Sequence, residues 1–170
     1  AALHLAPDRV YDTYAQMAAA EAERPDGIDV VSIVTPNHLH YDVACAFIDR
    51  GIHVICDKPM TTTLDDAEAL CRRVEAQDVV FCLTHTYAGY PLVKQARALV
   101  QQGRLGELRK VVVAYPQGWL NRRLEAGDHK QASWRTDPAM AGAGALGDIG
   151  THAEHLARYV TGRALERLCA

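Results

Sequence analysis

The sequence predicts an α/β fold built on a parallel sheet, and three features carry that expectation. Short apolar runs rich in β-branched residues alternate with helical periodicities in the order β-α-β-α-β. The runs are nearly continuous in apolar character, as strands buried on both faces are. Each also ends in polar or turn-forming residues: Thr35-Pro36-Asn37, Asp57-Lys58-Pro59 and Thr84-His85. Crossovers between parallel strands of one sheet are right-handed, so the three strands are expected to lie parallel with a helix between each pair.

Taken in order, Tyr11 to Arg24 is alanine-rich and reads as a helix closed by Pro25-Asp26-Gly27. Ile28-Asp29-Val30-Val31-Ser32-Ile33-Val34 reads as the first strand. Residues 38 to 50 place Val43, Ala44, Phe47 and Ile48 on one helical face, and Gly51 suits the C-terminal stop. Ile52 to Cys56 forms the next strand. Thr63 is positioned to cap a helix from Leu64 to Ala76, with Leu64, Ala67, Leu70, Cys71 and Val74 facing inward. Val79 to Leu83 is the third strand. Leu92 to Gln102 follows as a helix with Pro91 in its first turn and Gly103 at its end. Lys110 to Tyr115 has the composition of a further strand. Residues 116 to 147 are turn-rich and carry both tryptophans, and residues 148 to 160 return to helix. The strict alternation stops near residues 85 to 92, where a domain change is expected.

A chain of 170 residues, 49% hydrophobic and 23% charged, buries a core of one domain, or of one and part of another. A net charge of -3 gives no reason to expect nucleic acid or an anionic membrane as partner. No apolar run approaches the roughly 20 residues of a spanning helix. Ala1-Ala2-Leu3-His4-Leu5 shows no charged leader before an apolar segment, so no signal peptide is expected. The 5 cysteines are odd in number, irregular in spacing and without a Cys-x-x-Cys pair. Cys45 and Cys71 fall on apolar helix positions, Cys56 and Cys82 in apolar strands. They are expected to be small buried hydrophobes of a reducing, cytoplasmic compartment rather than a disulfide framework or a zinc site.

Gly142-Ala143-Gly144-Ala145-Leu146-Gly147 matches G-x-G-x-x-G letter for letter. That motif works only after a strand, where its tight turn brings a pyrophosphate to a helix N-terminus. The preceding Ser133 to Met140 has no strand pattern, so a glycine loop leading into the helix near Asp148 is expected instead.

Ligands of open α/β sheets sit beyond the carboxyl ends of the strands. If the three strands are neighbours, Thr35 to His40, Asp57-Lys58-Pro59 and Thr84-His85 converge there. Lys58, directly after a buried strand and before a proline, has a fixed position, although position alone leaves an ordinary surface lysine equally open. Asp148 and His152 stand i, i+4 on one helical face, continued by His155 and Tyr159, opposite an apolar face of Ile149, Ala153, Leu156 and Val160. An Asp-His pair holds an imidazole ready to accept a hydroxyl proton, and a solvated polar face is the alternative. Zinc through His152 and His155 is disfavoured, because the set lacks a further acidic or thiol ligand.

In this order Thr35-Pro36-Asn37-x-x-His40, Asp57-Lys58-Pro59, Trp134-Arg135 and Gly144-Ala145-Leu146-Gly147-Asp148-Ile149-Gly150-Thr151-His152 resemble the Gfo/Idh/MocA oxidoreductases, over nearly the whole chain. Each motif alone is weak, and the ordered set is specific. The resemblance implies the C-terminal half of a Rossmann-type sheet in residues 1–86. Residues 87–170 would begin an α+β domain for substrate and oligomer contacts. It implies NAD or NADP as cofactor, a small sugar or polyol as substrate, and a homo-oligomer at full length. Thr35, Pro36, Asn37, His40, Asp57 and Lys58 would line the dinucleotide, with Trp134 and Arg135 near the nicotinamide. Lys58 takes the place of the family's catalytic lysine, and Asp148 and His152 match its substrate-binding aspartate and catalytic histidine. Tyr87, Tyr115 and Gln117 would help line the sugar pocket. His152 would accept the hydroxyl proton while Lys58 stabilises the charge developing on the same oxygen.

Asp57 departs from the family's usual glutamate by one methylene, which changes how Lys58 is held. The family's first strand, glycine fingerprint and ribose-binding acid are expected before residue 1, and its C-terminal sheet after residue 170. A piece lacking the phosphate-binding loop is expected to hold dinucleotide poorly. Two alternatives stay open within the family: a non-catalytic dinucleotide- or sugar-sensing regulator, and an NAD-dependent glycoside hydrolase.

Overall fold

The computed structural model describes residues 6–118, 121, 124, 129–142, 144 and 146–169. They fall into two compact units, Ala1–Thr84 and His85–Ala170, each described by itself below.

The first unit is a three-stranded parallel sheet with helices on one face. Its elements are α1 (Tyr14–Glu23), β1 (Val30–Ile33), α2 (His40–Ile48), β2 (His53–Asp57), α3 (Leu64–Gln77) and β3 (Phe81–Thr84). The strand order is β1-β2-β3, with Val31 opposite Val54 and Asp57 opposite Thr84. The parallel α/β expectation is therefore met. Local chemistry explains the helix starts: Thr13 accepts from the Gln16 backbone N–H at 3.2 Å, and Thr63 accepts from that of Asp66 at 3.2 Å. α1 begins at Tyr14 rather than Tyr11 because the Thr13 cap sets the start. Tyr11 instead turns to donate its hydroxyl to Glu21 Oε1 at 2.7 Å. Gly27 closes the turn after α1, where a Cβ would stand 2.0 Å from the Glu21 carbonyl oxygen.

The core of this unit lies between the sheet and α2. Phe47, Ile48, Val43 and Ala44 of α2 meet Val31, Ile33, Val54 and Cys56, with Leu70 of α3 and Ala18 of α1 completing it. Burial on both sheet faces is expected from the apolar runs, and within residues 1–84 one face is covered. Val31, Ile33, Val54 and Cys56 are buried, while Val30, Ser32, Ile55 and Cys82 between them are exposed. The cause is topological: two successive right-handed crossovers stepping the same way across a sheet put both helices on one side. The same geometry corrects two cysteines. Cys45 and Cys56 are buried, but Cys82 is exposed on the uncovered face of β3 and Cys71 on the outer side of α3. Leu64, expected inward, is 72% exposed, because the inward stripe of α3 is carried by Leu70 and Val74.

The second unit comprises α4 (Pro91–Gln101), α5 (Lys130–Arg135), α6 (Pro138–Ala141) and α7 (Thr151–Thr161), preceded by a tight turn at Thr86–Gly89. α7 packs on α4 and on that turn. The strand expected at Lys110–Tyr115 does not form. A strand exists only through a ladder with a neighbour, and among the described residues nothing pairs with this segment. Part of the turn-rich stretch is helical instead, in α5 and α6. A wide π-type turn, Leu146–Gly150, precedes α7, so the regular helix begins at Thr151 rather than Asp148. Ala143 and Ala145 of the glycine motif lie outside the described residues. The motif follows α6 rather than a strand, as expected, and Gly142 and Gly144 take φ of 88° and 53°.

Candidate active site

In the first unit the sheet order brings the polar strand ends side by side. β1 leads through Thr35-Pro36 into a single 3-10 turn at Asn37–Leu39, and β2 leads into Lys58-Pro59, whose peptide bond is cis. Asp57 is the register partner of Thr84 and accepts a hydrogen bond of 2.7 Å from its hydroxyl. His40, the first residue of α2, joins the two turns. Its Nδ1 lies 2.6 Å from the Pro59 carbonyl oxygen and its Nε2 2.9 Å from that of Thr35. The ring has no exposed surface. Asn37, Lys58 and Pro59 are half-buried and Asp57 is exposed. The Thr35 hydroxyl oxygen is buried and, among the described residues, has no hydrogen-bond partner. Such an atom normally finds one, so it is available to a polar ligand at the carboxyl edge of the sheet. Cys56, one residue before Asp57, is sealed in the core, and burial pushes its thiol up to about 12.

The second unit gathers Tyr87, Tyr115 and His152. Tyr87 and Tyr115 share a hydrogen bond between their hydroxyls. The Tyr87 and His152 rings meet edge to face, 4.7 Å between centroids. That hydrogen bond first, and burial second, raise Tyr87 to about 12, further above neutral pH than an ordinary tyrosine. Asp148, in the π-type turn, pairs with Arg135 at 3.0 Å, and the Arg135 guanidinium lies over the Trp134 ring at 4.9 Å. Trp134, Arg135 and Asp148 are thereby joined, while Gln117 is exposed on a coil away from regular structure.

The face of α7 read as polar is in part a packing face. His152 is the buried residue of that helix, whereas Ile149, Ala153, Leu156 and Val160 are only partly covered. His155 stacks on His85, 3.9 Å between centroids and 6° between planes, and on Tyr159, which carries the Arg97 guanidinium at 4.5 Å. Burial, then the Arg158 charge, lowers the His155 pKa. Ala153 and Leu156 instead border a cavity of about 290 Å³ shared with Tyr87, Tyr90, Val93 and Tyr115. Among the described residues no group of three His, Cys, Asp or Glu side chains is arranged to hold a metal ion.

Sequence reasoning passed over the hydrogen bond from Thr84 to Asp57 and the pairing of Arg135 with Asp148. The first had a signal, since parallel strands ending at 57 and 84 place those residues in register. The second spans two elements separated by irregular chain and had none.

A parallel sheet with polar groups gathered at the carboxyl ends of its strands defines a Rossmann-type α/β protein. Comparison with known proteins then gives the family. A family model described as "Oxidoreductase family, NAD-binding Rossmann fold" matches residues 2–85, and one described as "GFO/IDH/MocA C-terminal domain" matches residues 93–170. An uncharacterised oxidoreductase of Bacillus subtilis is 36% identical over 90% of this chain and 39% of its own length. A levoglucosan dehydrogenase of Pseudarthrobacter phenanthrenivorans is 37% identical over 81% of this chain and 34% of its own. Among solved structures, an inositol dehydrogenase homologue from Azotobacter vinelandii complexed with NAD+ superimposes with a TM-score of 0.87 at 39% identity, covering 92% of this chain and 40% of that one. The chain belongs to the Gfo/Idh/MocA oxidoreductase family, as its ordered motifs led us to expect. It spans 39% and 34% of the length of those two curated relatives.

Proposed function

We propose that the whole protein is an NAD(P)-dependent oxidoreductase that moves a hydride between the nicotinamide and a carbon of a sugar or polyol. The observation that carries this reading is the carboxyl edge of the sheet. There the β1 and β2 turns are joined through His40, and Asp57, beside Lys58, is held by Thr84. The residues present fit a dinucleotide, because the buried Thr35 hydroxyl offers a polar contact that no described residue uses. Thr35, Pro36, Asn37, Asp57 and Lys58 would hold it, with Trp134 and Arg135 toward its nicotinamide. When bound, the dinucleotide accepts or returns the hydride.

The chain's own residues do the rest. A ring nitrogen of His152 accepts the proton of the reacting hydroxyl, and the Lys58 ammonium stabilises the negative charge developing on that oxygen. Asp148, oriented by Arg135, binds a substrate hydroxyl. Tyr87 keeps its proton and serves the same polyhydroxylated ligand together with Tyr115. The names of the relatives, levoglucosan dehydrogenase and inositol dehydrogenase homologue, support a carbohydrate or polyol as the substrate class.

The test is a panel of sugars, polyols and glycosides offered to the whole protein with NAD+ or NADP+, followed by ultraviolet absorbance of the reduced nicotinamide. Turnover with at least one sugar or polyol, lost in Lys58→Ala, is the expected result. A Lys58→Ala variant with full turnover overturns the catalytic assignment.

A further inference from the structure

His40 occupies an unusual place for a residue of a ligand-lining motif. It has no exposed surface, and both ring nitrogens lie within hydrogen-bond distance of backbone carbonyls. A carbonyl only accepts, so the imidazole N–H donates at whichever nitrogen carries the proton. The two carbonyls belong to the segments that leave β1 and β2, at Thr35 and Pro59. Ladder bonds fix parallel strands within the sheet, and beyond its edge His40 adds a side-chain contact to both exit turns. The ring is mounted rigidly for that task. It stands on the first turn of α2, whose Val43, Ala44, Phe47 and Ile48 anchor the helix in the core. Pro59 directly follows Lys58, so holding the Pro59 carbonyl fixes the path by which the chain carries Lys58 off the strand.

We propose that His40 is a positioning residue for Lys58, standing between the Lys58-Pro59 and Thr35-Pro36 turns with its N–H on one of their carbonyls and its other edge packed against the second, and acting on the reaction through Lys58 rather than by touching dinucleotide or substrate. This rests on the functional reading above, in which Lys58 stabilises charge on the reacting oxygen. Misplacing such a group by about 1 Å costs on the order of 100-fold in rate.

The experiment is a double-mutant cycle in the whole protein with His40→Leu, His40→Gln and Lys58→Ala. It reads kcat and the KM values for dinucleotide and sugar, with thermal unfolding of each variant as the folding check. We expect His40→Leu to lower kcat by about 10- to 100-fold while the dinucleotide KM stays within about twofold. His40→Gln, which keeps a buried N–H donor for one carbonyl, should recover part of that loss. In the Lys58→Ala background, His40→Leu should add less than about a further twofold loss. Losses that multiply in the double variant overturn the inference, as does a raised dinucleotide KM with unchanged kcat, which marks a direct ligand. Should His40→Leu fail to fold, His40→Gln carries the same cycle with the same criteria. Full turnover in Lys58→Ala defeats the functional reading and this inference together. An impaired Lys58→Ala with multiplying losses defeats this inference alone.

Discussion

Acidification of the Glu21 cluster gives the sharpest physical prediction. The Glu21 side chain is 1% exposed and accepts hydrogen bonds from both the Arg9 guanidinium and the Tyr11 hydroxyl. The Arg9 hydrogen bonds first, then that of Tyr11, hold its carboxyl at about 2 instead of 4.5, against the opposing effect of burial. A carboxylate whose folded pKa is depressed contributes stability above its unfolded pKa and loses it as pH falls through the folded one. The window here therefore runs from about 4.5 down to about 2. The whole depression corresponds to at most about 3.5 kcal/mol. Arg9 is 28% exposed, so water screens the pair and about 1–2 kcal/mol is the figure to expect. Glu21→Gln preserves volume but removes the charge. At neutral pH it should lower the unfolding free energy by about 1–2 kcal/mol in urea titrations followed by far-ultraviolet circular dichroism. Between pH 4.5 and the acid limit the wild type should then fall toward the variant, so their difference shrinks while the other carboxylates titrate alike in both. A difference that stays constant across that window would refute the assignment of the depressed carboxyl to Glu21.

Two further predictions separate what is buried from what only looks apolar in the sequence. Leu70→Ala should cost about 2–5 kcal/mol in the same titration, since its side chain is fully enclosed between α3 and the rest of the core. Leu64→Ala, six residues earlier on the same helix and largely solvated, should stay within about 0.5 kcal/mol. In the folded chain of 170 residues, an aromatic disulfide reagent should label Cys71, Cys82 and Cys169 rapidly. Cys45 and Cys56 should follow only on unfolding, because both are buried and burial raises both thiols. Fast labelling of all five would contradict the packing of α2 on β2.

Much of the candidate site was legible because its parts are short and local. Thr35-Pro36-Asn37 and Asp57-Lys58-Pro59 sit where apolar runs stop, and a parallel sheet puts such stops on one edge. The helix cap at Thr63, and the failure of the glycine motif to follow a strand, are likewise decided within a few residues, whereas the cap at Thr13 escapes the alanine-rich reading, which starts the first helix at Tyr11. The second unit was less legible. α6 and the π-type turn lie in glycine- and alanine-rich chain and α5 in a short polar stretch, all without a clear period, and the Lys110–Tyr115 composition says strand although no described residue pairs with it. The amphipathic reading of α7 placed His152 on its polar side, yet the rings of Tyr87, Tyr115 and His85 around it make that side the more buried one.

By itself the sequence determined the parallel α/β class, the strand and helix order of the first unit and the candidate residues at its strand ends. These depend on periodicity, turn chemistry and chirality, which act over a few residues. Only the tertiary structure decided which sheet face is covered, that Asp148 answers to Arg135, and that His40 faces two carbonyls. Each of these is a pairing of groups distant in the chain, and side-chain period alone carries no record of which surface arrives to meet it.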